Sequence, residues 1–87
     1  MEKEYCIVTL VKLKIWRFWF SQIVPQVFTF KATDDKEALE FFQFSIQKIK
    51  AEGKKDMYSD DGEFLASGLF DPASNEISTF KASEIFP

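Results

Sequence analysis

Tyr5-Cys6-Ile7-Val8-Thr9-Leu10-Val11-Lys12-Leu13-Lys14-Ile15 carries the pattern from which the architecture follows. It is rich in β-branched and apolar residues, and from Val11 onward Val11, Leu13 and Ile15 alternate with Lys12 and Lys14. Alternation with a period of two places the apolar side chains on one face of an extended chain, so this is a strand with one face against a core. Cys6, Val8 and Leu10 then point to the opposite face, in line with Lys12 and Lys14.

Further along the chain, Val24 precedes Pro25 and is driven into an extended conformation, and Val27-Phe28-Thr29-Phe30-Lys31 repeats a strand composition. Pro25 has no backbone donor and belongs at a strand start or a sheet edge. A hairpin with its turn near residues 19–22 sets Val11 opposite Phe30 and Leu13 opposite Phe28, which gathers the apolar residues on one face. The tip carries no Asn-Gly or Asp-Gly pair to fix that register.

Asp34 followed three residues later by Glu37 is a capping-box spacing and starts a helix that runs to about Glu52. Leu39, Phe42, Ile46 and Ile49 recur at intervals of three and four, flanked by Ala38 and Ser45, and form the stripe that packs on a sheet. Lys48 and Lys50 suit the negative end of the helix dipole, with Gly53 as the residue that ends it. Beyond it come a short strand at Met57-Tyr58, a turn at Ser59-Asp60-Asp61-Gly62, and a strand over residues 63–70. A turn at Asp71-Pro72-Ala73-Ser74-Asn75 follows, then a last strand over residues 76–81. The order ββα followed by ββ or βββ predicts a single α+β domain over residues 1–87, a mostly antiparallel sheet of four to five strands with one helix packed on one face.

Composition narrows the chemistry. The chain has 87 residues, 46% hydrophobic and 29% charged, with a net charge of −3, no histidine and one cysteine. That mixture is neither disordered nor suited to a bilayer. The most apolar run, between Lys14 and Lys31, is interrupted by Arg17, Gln22, Pro25 and Gln26 and predicts no membrane span. No signal-peptide pattern follows Met1, and a cytoplasmic location is the expectation. Without histidine there is no Ser-His-Asp or Cys-His nucleophile pair and no imidazole metal site, and a lone cysteine makes neither a thiolate cluster nor a disulfide within the chain. Gly53, Gly62 and Gly68 are too widely spaced to cradle a phosphate. Around Gly62 only Asp61 falls on a calcium-loop ligand position, so the acidic segment reads as a solvated turn. No catalytic residue, metal, cofactor or small-molecule substrate is expected, and the reading is non-enzymatic.

The informative feature is the face away from the helix. Cys6, Val8 and Leu10 lie there, joined by Trp16 and Phe18 if the first strand continues, and the two rings alone would hide ~300–500 Å² when covered. That matches the largest apolar patch of a typical monomer. Phe44 falls about 160° from the helix's core stripe on a 3.6-residue wheel and is expected to be exposed. Trp16, Arg17, Phe18, Trp19, Phe20 and Phe44 are therefore the candidate partner-binding residues, and the function expected is a small interaction or regulatory module that self-associates as a dimer or binds a partner protein. The alternative is single-stranded nucleic-acid binding, with Lys12, Lys14 and Arg17 beside the rings of Trp16, Phe18 and Trp19. An acidic net charge and the lack of an RNP-type motif weigh against it.

Overall fold

The computed structural model describes residues 1–15, 20–52 and 62–86. Strands β1 (Lys3–Ile15) and β2 (Phe20–Ala32) precede helix α1 (Asp35–Glu52), which is followed by β3 (Gly62–Phe70), β4 (Glu76–Lys81) and a short helix α2 (Ala82–Ile85). The four strands form one antiparallel sheet in the order β2-β1-β3-β4, and both helices pack against the same face. This is the small α+β fold expected from the alternation pattern. The expected strand at Met57-Tyr58, residues 59–61 of the turn after it and the end of α1 at Gly53 lie outside the described residues, and Gly62, expected in that turn, opens β3 opposite Leu13.

The core lies between α1 and one side of the sheet. Ala38, Phe42 and Ile46 of the helix meet Tyr5, Ile7, Phe64 and Leu69 of the sheet, with Leu39 and Ile49 packed at the margin. The helix starts as its sequence dictates: the backbone N–H of Glu37 donates to Asp34 Oδ1 at 2.8 Å. The Glu37 carboxylate reaches back one residue beyond the cap, accepting from the Thr33 hydroxyl at 2.9 Å. One polar pair is built into the core, where Thr9 Oγ1 and Ser67 Oγ lie 2.9 Å apart and satisfy each other across β1 and β3.

The register of the first hairpin differs from the sequence reading. Ile7 faces Phe28, Tyr5 faces Phe30 and Val11 faces Val24, so Val11 is not opposite Phe30, nor Leu13 opposite Phe28. The strands extend to Ile15 and Phe20, which are paired, and the turn is therefore not at residues 19–22. Without a turn dipeptide, Val24-Pro25 resembled the beginning of β2 when it is its middle. The shift is an even number of residues, so each side chain stays on its expected face. Pro25 is tolerated because β2 is an edge strand.

Two bulges adjust the other strands. Leu10 pairs with Ala66 and Val11 with Phe64, which leaves Leu65 as an extra residue in β3. Phe64 and Leu69, five positions apart, both reach the core face for that reason. Ile77 is the extra residue in β4, between the pairs Leu69–Ser78 and Phe70–Glu76, and it packs against the core together with Phe80. The tight turn between β3 and β4 is held by Asp71, whose Oδ1 accepts the N–H groups of Asn75 at 2.8 Å and Ala73 at 2.9 Å. These donors, that of Asn75 foremost, keep the Asp71 carboxyl below its ordinary range. Ser74 takes a positive φ of 67° to close this turn.

Candidate binding surface

Each strand offers its second face in register, and pairing defines the rows. Thr29, Cys6, Phe70 and Glu76 form one row across β2, β1, β3 and β4. Val27, Val8, Gly68 and Thr79 form the next, and Pro25, Leu10, Ala66 and Lys81 the third. Lys31 and Glu4 close the band at one end, and Ile23, Lys12 and Glu63 at the other. The result is an apolar centre with a charged border. Among the described residues no helix covers it, since Ile85 of α2 is buried in the core on the opposite face and Phe86 packs edge-on against Phe64, ring centroids 6.2 Å apart.

Exposure on this face rises toward the edge strand. Cys6, Val8, Leu10 and Ala66 are half-buried by their neighbours in the sheet, whereas Val27 and Ile23 are 64% and 58% exposed. Gly68 leaves a shallow groove of about 220 Å³ between Val8 and Thr79. A Cβ at Gly68 would stand 3.1 Å from the Phe70 ring and 3.2 Å from the Thr79 hydroxyl oxygen, so the absent side chain lets that ring lie across the sheet. The Thr79 hydroxyl donates to Glu76 at the border of the groove.

The predicted site residues are only partly brought together. Trp16, Arg17, Phe18 and Trp19 lie outside the described residues, and Phe20 opens β2 opposite Ile15. Phe44 stands on the solvent side of α1, 64% exposed, with Lys48 Nζ 5.8 Å from its ring centroid. It is on the helix layer and not on the open sheet face.

A second aromatic feature escaped the sequence reading. Phe41 stacks on Phe30 with centroids 4.3 Å apart and on Phe28 at 6.0 Å, forming a ledge where α1 meets the edge strand. Phe28 remains 54% exposed there. The signal was present, since Phe28 and Phe30 share a strand face and Phe41 lies about 100° round the helix from Phe42. Among the described residues no group of three Cys, Asp or Glu side chains is placed to hold a metal ion, and no helix is long and apolar enough to cross a membrane. Comparison with protein-family models, curated proteins and solved structures finds no match.

Proposed function

We propose that this protein is a small non-enzymatic binding module that engages another polypeptide through the open face of its sheet. The observation that carries this reading is the apolar band of Val27, Pro25, Val8, Leu10, Cys6 and Ala66, with charged residues at both ends and no described element across it. An apolar centre inside a polar rim is the anatomy of a protein–protein interface. Trp16, Phe18 and Trp19 follow β1 in the sequence, and the proposed contact extends to them; Phe20 pairs with Ile15, in line with Phe28 and Phe30 and not with Val27, and is left out of it. Nucleic acid is the poorer occupant: Glu4, Glu63 and Glu76 accompany Lys12, Lys31 and Lys81 on the described part of this face, which gives a phosphate backbone no basic stripe.

The test compares wild type with Val27→Asp and Trp16→Glu after brief crosslinking in the producing cells. Wild type is expected in a crosslinked complex, with itself or with another protein, that Val27→Asp abolishes while far-ultraviolet circular dichroism stays unchanged. Val27 is the safe probe because it is exposed on an edge strand. Trp16→Glu reports whether the segment between β1 and β2 takes part. A wild-type chain that stays free in the cell, or a complex indifferent to Val27→Asp, would sink the reading.

A further inference from the structure

We infer that the occupant of the open face is a second copy of this chain, packed face to face about a two-fold axis that crosses the strands along the row Val27, Val8, Gly68 and Thr79. The inference rests on the reading of that face as a binding surface and goes on to specify its partner and geometry.

From the strand spacing and the rise per residue, the apolar band measures roughly 15 Å by 20 Å, about 300 Å². A stable interface buries about 800 Å² on each partner. The apolar centre falls short, so the charged border has to be included, and its complementarity decides what fits.

The border is complementary to itself. Counting along β1 from Val8, Glu4 lies two rows to one side and Lys12 two rows to the other. On β4, Glu76 lies one row to the first side and Lys81 one row to the second. Half a turn about the Val8 row therefore places Glu4 over Lys12 of the partner and Glu76 over Lys81 of the partner, and the reverse on the other half of the interface. Lys31 falls over Ile23, and Glu63 beyond the end of β3, so neither is set against a like charge. Side-chain size follows the same rule: Phe70 falls over Ala66, and Leu10 over Cys6. The row on the axis meets its own copy, Val8 on Val8, with Gly68 providing depth beside it. An isologous interface requires this pattern of acid mapped on base and large mapped on small. Two sheets packed in this way lie about 10 Å apart, with strands within about 30° of each other.

Geometry supplies a direct test, because only residues on the axis face themselves. In a Cys6→Ser background, Val8→Cys is expected to form an intermolecular disulfide under mild oxidation at least ten times faster than native Cys6 does in wild type. Light scattering over a concentration series should show wild type passing from monomer to dimer, with Val27→Asp remaining monomeric. Wild type that is monomeric throughout the series overturns the inference and leaves the wider reading to the in-cell crosslink. A dimer in which Val8→Cys links no faster than native Cys6, or which survives Val27→Asp, also overturns it.

Discussion

Asp35 is the first residue of α1 and accepts the phenolic proton of Tyr5, Oη to Oδ1, at 2.7 Å. One bond thus ties the start of the central strand to the start of the helix, beneath the stacked ring of Phe30. Donation to the Asp35 carboxylate, followed by burial and the negative charges of Asp35, Asp34 and Asp71, pushes the Tyr5 phenol up to about 12 from its ordinary value of 10. The folded state holds this proton more tightly than the unfolded state. Its contribution to stability is complete below pH 10 and is lost as the pH rises through about 12. Urea unfolding should therefore show wild type more stable than Tyr5→Phe at pH 8, with the difference gone above pH 12. A constant difference across that interval would mean that the phenol is not held by Asp35. At the same scale, Asp34 and Glu37 were legible as a cap because their spacing is local. The Tyr5–Asp35 bond was not, since it joins residues thirty apart that only the fold brings together.

Leu65 shows what a single inserted residue does to a strand. With it, Phe64 and Leu69 both face α1; without it, one end of β3 turns over and either Phe64 or Leu69 leaves the core. Deleting Leu65 is expected to cost ~3–5 kcal/mol, the scale of losing a buried aromatic side chain. Leu65→Ala keeps the count and should cost less than ~2 kcal/mol, so amide dispersion in an NMR spectrum should collapse for the deletion alone. If the deletion is as well folded as Leu65→Ala, the bulge does not set the register. Elements were readable wherever signals are local. The alternation at Lys12 and Lys14, the stripe Leu39, Phe42, Ile46 and Ile49, and the Asp71–Asn75 turn that bounds β4 all have short-range causes. What escaped has long-range causes: the hairpin register lacks a turn dipeptide, and the bulges serve a core that sequence alone does not display. The short helix α2 was also missed, although Glu84 three residues after Lys81 accepts its N–H at 3.3 Å and repeats the spacing at Asp34 and Glu37.

Taken as a whole, the molecule is a two-layer structure in which helices bury one side of the sheet and, among the described residues, none covers the other. A chain of this size buries only about 60–65% of its unfolded surface, so an association that covers the second face adds to a thin margin. For the proposed dimer, mass action makes the melting temperature depend on concentration. Scanning calorimetry across a hundredfold range should show a rise of about 5–10 °C. A flat profile would mean that the open face contributes nothing to stability. The order β2-β1-β3-β4 also has a consequence for synthesis. The inner strand β1 is made first, and β2 follows at once to cover one of its edges. The other edge waits for β3, which is complete at Phe70, about forty residues after β2 ends at Ala32, and at 5–20 residues per second that is roughly 2–8 s of translation. For that interval the nascent chain carries a two-stranded hairpin with both edges unpaired, the form in which it is most open to a chaperone or to a neighbouring nascent chain on the same messenger.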